Sequence, residues 1–173
     1  ANNSIVVILN TEDPFAVIYN EPVDEEEAEN DYEWRETSAG TRYYTMATIN
    51  IPSIDCTYPI LDRSTDELLK ISPCKFWGAN PNEVGNFCIV GHNYRNNKFF
   101  SHVPELAIGD TIEITDRIKN RETLTYKVYD KYVVDPDNTE CTTQRTNGLK
   151  EITLITCTDD SKMRVIVKAR EEK

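Results

Sequence analysis

The chain has 173 residues, 39% of them hydrophobic, and a formal net charge of −11. This length suits about one domain with a real core, and no run approaches the roughly 18 apolar residues of a membrane-spanning helix. The acidic balance excludes a nucleic-acid-binding surface, which would need a basic stripe.

The charge is unevenly placed. Residues 1–40 hold eleven acidic groups and one basic group, whereas residues 41–173 hold nineteen acidic and eighteen basic groups. The division predicts an acidic N-terminal appendage over 1–40 and a near-neutral folded body over 41–173. In the appendage, the apolar patches Ser4 to Leu9 and Ala16 to Tyr19 flank a turn-like stop at Asp13-Pro14-Phe15. Pro14 disfavours a helical Asp13. The run Glu21 to Glu36 reads as a solvated tether or a helical face without its own core. Like charges would oppose a short helix over Glu25 to Trp34. The first residue is Ala rather than Met, which fits removal of a leader or anchor.

From Tyr43 the texture turns to β. Met46 to Ile51 alternates and stops at Pro52, as a strand closing at an edge or turn does. Tyr58 to Leu61 is a second short strand. Ser64 with Glu67 three residues on has the capping-box pattern and opens a short helix. Asn86 to Val90 is an apolar strand ending at Gly91-His92-Asn93. Lys98 to Leu106 is short helical or irregular structure. Strands follow at Thr111 to Thr115 and Thr123 to Val134. A polar loop spans Asp135 to Gly148, and strands at Glu151 to Cys157 and Arg164 to Lys168 close the chain. Many short strands with frequent turn signals predict a mainly β fold, a sandwich or a closed barrel.

Alternation puts Ile152, Leu154 and Thr156 on one strand face, and Thr153, Ile155 and Cys157 on the other. Cys157 is the last strand residue before a charged loop, where a rigid element can present a thiol to a cleft. His92 also ends an apolar strand. Gly91 lets the backbone bend, and Asn93 and Tyr94 are able to hold the ring. A hairpin from Cys157 to Arg164 returns the guanidinium towards the thiol. Together they offer a nucleophilic thiolate, a proton carrier for the leaving amine, and donors for an oxyanion. The other cysteines are Cys56, Cys74, Cys88 and Cys141. No two of the five are spaced C-x-x-C, which argues against structural zinc. Asp135, Asp137 and Glu140 gather oxygen ligands but lack the glycine and spacing of an EF-hand calcium loop. A solvated acidic loop is the plainer reading, and no cofactor is expected.

Thr153-Leu154-Ile155-Thr156-Cys157 with Arg164 downstream resembles the sortase signature T-L-x-T-C plus arginine. Val90-Gly91-His92-Asn93 resembles the family's histidine motif. Ala47 to Ile54, Tyr58 to Leu61 and the segment from Lys98 to Asp110 also fit, so the resemblance spans roughly residues 44–170. It implies a closed eight-stranded β-barrel with short helices. It also implies an enzyme anchored on the outer membrane face of Gram-positive bacteria. Such an enzyme cleaves an LPXTG-type sorting signal through a cysteine thioester. It then joins the acyl group to an amine of a cell-wall precursor, such as lipid II, or to a pilin lysine. By this resemblance Cys157 is nucleophile, His92 general acid/base, Arg164 the carbonyl and oxyanion ligand, and Thr156 a substrate-positioning neighbour. Sixty-five residues separate His92 from Cys157, too few for the helical insertion of class B. Asp13-Pro14-Phe15 resembles the lid of pilin-building class C enzymes, with a class D- or E-like enzyme as the competing subclass. The rival functions are a secreted cysteine peptidase and a non-enzymatic β-barrel surface or pilus module.

Overall fold

The computed structural model describes residues 32–172, together with the backbone of 5–6 and 18–19. Strands β1 (Ile5–Val6) and β2 (Ile18–Tyr19) pair antiparallel as a separate two-stranded sheet within the two apolar patches. Asp13, Pro14 and Phe15, the candidate lid, lie outside the described residues.

The main sheet is built from β3 (Glu33–Glu36), β4 (Arg42–Ile51), β5 (Cys56–Leu61), β6 (Cys74–Gly78), β7 (Gly85–Val90), β8 (Thr111–Asp116), β9 (Thr123–Val134), β10 (Lys150–Cys157) and β11 (Arg164–Glu171). Its order is β3-β4-β5-β6-β7-β10-β11-β9-β8, and β8 also pairs with β4. That pairing closes β4 to β11 into the expected eight-stranded barrel, which leaves none of these eight strands as a free edge. The ten-residue β4 is long enough to serve two neighbours on one side. Residues 42–45 pair with β3, and residues 47–50 pair with β8. The end of the acidic run is therefore strand. Trp34 packs edge-on against Tyr44, with ring centroids 5.0 Å apart, and Arg117 clamps the Glu33 carboxylate through two donors.

Alternation sorts the barrel strands into two cores. Ile49, Ile89, Ile152, Leu154, Val165 and Val167 belong to the cluster that fills the barrel. Val90, Ile155, Cys157 and Ile166 belong to a second cluster on the outer face, covered by Leu68 and Leu69 of helix α1 (Asp66–Leu69). Thr65, not Ser64, caps this helix. Its Oγ1 accepts the Leu68 N–H at 3.1 Å, and Asp66 and Glu67 occupy the positive end of the helix dipole. The segment from Lys98 to Leu106 contains one short 3-10 turn, Val103–Glu105. No helix among the described residues is long and apolar enough to cross a membrane.

Candidate active site

Three neighbouring strands bring the predicted groups together. β7 and β10 run parallel with Val90 opposite Ile155. His92 lies two residues past the first, and Cys157 two residues past the second. β10 and β11 run antiparallel with Cys157 directly opposite Arg164. The thiol residue therefore sits in the middle strand, flanked by the imidazole residue on one side and the guanidinium residue on the other. Cys157, Ile155, Ile166 and Val90 share the outer face, so the site opens away from the barrel interior.

Each group is held by its neighbours. The imidazole of His92 stacks on Tyr94 with ring centroids 5.0 Å apart and an interplanar angle of 27°. The His92 carbonyl accepts the Phe100 N–H at 3.0 Å. The loop between these residues is pinned further where Tyr94 N–H donates to Ser101 Oγ at 3.1 Å. Gly91 lets Phe100 approach, because a Cβ there would lie 2.6 Å from the Phe100 ring. Cys157, His92 and Arg164 are 1%, 5% and 5% exposed. Burial at this level shields the three side chains from bulk water and strengthens the electrostatics between them.

Thr156 faces the other way. It is fully buried on the barrel side, and its Oγ1 donates to the Gly91 carbonyl at 2.8 Å. That bond makes Thr156 a strut between β10 and the histidine turn. No three His, Cys, Asp or Glu side chains, those of Asp135, Asp137 and Glu140 included, converge as a metal-binding group among the described residues.

The Sortase domain model matches residues 49–172. The chain belongs to the sortase family. A sortase D5 transpeptidase of Clostridium perfringens is similar at 32% identity, over 75% of this chain and 80% of that one, with a TM-score of 0.67. The lid mutant of sortase A from Corynebacterium diphtheriae shares 27% identity over 79% and 74% of the two chains, with a TM-score of 0.69. Sortase C-1 of Actinomyces oris shares 26% identity over 75% and 74%, with a TM-score of 0.67. No curated protein sequence matches. Sortases are cysteine transpeptidases, and this chain is one.

The remaining thiols of this sortase are held as structural groups. Burial is the first cause in each case. It pushes Cys56 up to about 12, with Asp55 adding to the effect. It raises Cys74 well above the ordinary thiol range, reinforced by Asp62. It raises Cys88, reinforced by Cys141, and it raises Cys141 against the opposing charge of Lys168. A thiol kept protonated is a poor nucleophile. All five cysteines are free of disulfides.

The sequence singled out Asn93 for the ring, but its amide reaches the carbonyl of Cys157 at 2.9 Å and Asp159 Oδ1 at 3.0 Å. Asp159 had no signal of its own in the sequence. Its part depends on the hairpin from Cys157 to Arg164 folding back beside the histidine loop.

Proposed function

We propose that Cys157 is the nucleophile of this transpeptidase, His92 its proton carrier and Arg164 its oxyanion ligand. The Cys157 sulfur attacks the scissile carbonyl carbon, and the C–S bond forms as the carbonyl oxygen takes negative charge. The Arg164 guanidinium donates to that oxygen, since a charged donor in a dry site favours the charge-separated state. The C–N bond then breaks, and the imidazolium of His92 gives its proton to the departing amine. The product is a thioester on Cys157. An incoming amine loses a proton to His92, attacks the thioester carbon and expels the thiolate, leaving a new amide.

The observation that carries this reading is the register. Cys157 faces Arg164 across one ladder, and follows the same parallel rung as His92 across the other. The substrate we propose is an LPXTG-like sorting signal of a surface protein or pilin. The acceptor is an amine of a peptidoglycan precursor or a pilin lysine. The working place is the outer face of the cell membrane. Identity of 32% with a sortase D5 transpeptidase supports a class D-like enzyme.

The test is covalent capture. Wild-type protein mixed with an LPXTG-type peptide should gain the mass of the acyl fragment on Cys157. Triglycine should then release it as an amide. Cys157→Ala should give neither product while keeping the wild-type circular dichroism. Release only as the free acid would instead mark a peptidase. Full turnover by the alanine variant would remove Cys157 from the reaction.

A further inference from the structure

In a parallel ladder the N–H groups of one strand meet carbonyls of the next at every second residue. The β7 side keeps this rhythm one step past its last strand residue. Gly91 N–H donates to the Ile155 carbonyl at 3.1 Å. The next carbonyl in the row belongs to Cys157, and the N–H that would meet it belongs to Asn93. There the chain turns from the sheet, and Asn93 makes an isolated antiparallel bridge with Phe99. The Cys157 carbonyl is met instead by the side-chain Nδ2 of Asn93, at 2.9 Å.

The remaining contacts fix which way the amide points. Nδ2 donates a second time, to Asp159 Oδ1 at 3.0 Å. Asn93 Oδ1 accepts the Arg95 N–H at 2.9 Å. Arg95 Nη1 in turn donates to the Asp159 carbonyl at 2.8 Å. Asn93 is 9% exposed and its bond to the Cys157 carbonyl is buried, whereas the Arg95 guanidinium bond lies at the surface. A reversed amide would set oxygen against the Cys157 carbonyl, and an ionised carboxylate would bring two acceptors and no donor.

We infer that Asn93 is a positioning residue whose side chain supplies the ladder rung that the main chain gives up. It ties the histidine loop to the nucleophile strand at the very residue that follows His92. The backbone can therefore leave the sheet at His92 without losing its register against Cys157. This role rests on the catalytic assignments proposed above, and it differs from holding the imidazole ring, which Tyr94 does by stacking.

The experiment compares full-length wild type with Asn93→Ala, Asn93→Asp and the double variant Asn93→Asp/Asp159→Asn. Turnover is read with a quenched LPETG peptide and triglycine, folding by thermal melting, and the local tie by hydrogen exchange of residues 91–101 and 157–163. A displaced imidazole slows chemistry more than binding, so Asn93→Ala should lower kcat by about tenfold to a hundredfold with KM within about threefold. Asn93→Asp should lose more, because two carboxylates then face each other. Adding Asp159→Asn should return activity to the Asn93→Ala level and no further, since the Cys157 carbonyl still meets an acceptor. Both segments should exchange faster in every Asn93 variant. The inference is overturned if Asn93→Ala keeps kcat within about twofold of wild type while Cys157→Ala is inactive. It is equally overturned if the loss matches only the unfolded fraction, or if exchange in the two segments is unchanged. Turnover by Cys157→Ala would instead overturn the catalytic assignment. The exchange measurement would still judge the rung.

Discussion

At the residue scale, Cys157 is set apart from the other thiols by its neighbours, not by its burial. All five cysteines are buried, yet Cys157 alone ends a strand between His92 and Arg164. Near neutral pH, iodoacetamide should modify Cys157 well before Cys56, whose thiol is pushed up to about 12. Peptide mapping of the alkylated protein checks this order, and prior modification of Cys56 would contradict it. Arg164→Lys should retain the charge but lose the planar fork, lowering kcat/KM by about 10²–10³-fold. Steady-state kinetics on a variant with unchanged melting would read that loss. The convergence of positions 92, 157 and 164 was legible because each residue abuts a strand end and a recognisable motif. The Thr156 side chain points away from that of Cys157, because strand alternation sends chain neighbours to opposite faces.

At the element scale, the outer face of the sheet carries a buried polar staple. Lys168 Nζ donates to the Cys141 carbonyl at 2.8 Å and to Thr153 Oγ1 at 3.1 Å. Asn86 Nδ2 reaches the same Cys141 carbonyl at 2.8 Å and that of Thr143 at 3.1 Å. Gln144 then bonds the Asn86 main chain on both sides, accepting its N–H at 2.8 Å and donating to its carbonyl at 2.9 Å. These bonds fasten the loop before β10 across β7, β10 and β11. Lys168→Met should change stability by only about 1–2 kcal/mol, since a buried charge and its hydrogen bonds are lost together. The same change should speed amide hydrogen exchange in the loop before β10, which mass spectrometry reads. Unchanged exchange there would show that the loop is held by other contacts. Gly91→Ala should act on the site more than on the fold, because the added Cβ pushes the Phe100 ring that backs the histidine turn. A stability loss of about 1–3 kcal/mol with a larger proportional fall in kcat is expected from melting and kinetics together.

Elements were read well where the period was clean. Thr123 to Val134 was read with its observed limits, and the apolar strand before His92 was one residue short of Gly85–Val90. β6 was missed for a physical reason. Its register shifts between Lys75 and Trp77, so the two-residue period breaks inside a five-residue strand. β3 was missed because its sequence, Glu-Trp-Arg-Glu, follows an acidic run. Its strand character comes from pairing with β4 and from Arg117, far along the chain.

At the scale of the whole molecule, the buried thiols and phenols set a limit at high pH. The thiol of Cys56 is raised from 9.0 to about 12, and the phenol of Tyr132 from 10.0 to about 12, in both cases first through burial. Below about pH 9 the folded and unfolded chains hold these protons alike. Above it the unfolded chain releases protons that the folded chain keeps, so stability falls as pH rises towards 12. Denaturant midpoints measured under reductant should therefore be level up to about pH 9 and decline beyond it. A level midpoint through that range would contradict the burial of these groups.

The parallel pairing of β7 with β10 has a kinetic corollary. Parallel neighbours β7 and β10 cannot be joined by a tight hairpin, and the chain visits β8 and β9 between them. No local hairpin can therefore assemble histidine beside cysteine early in folding. A half-folded copy should be inert towards peptide bonds, and after dilution from urea the return of acyl transfer should trail the return of tryptophan fluorescence, timing the moment at which the last strands zip together.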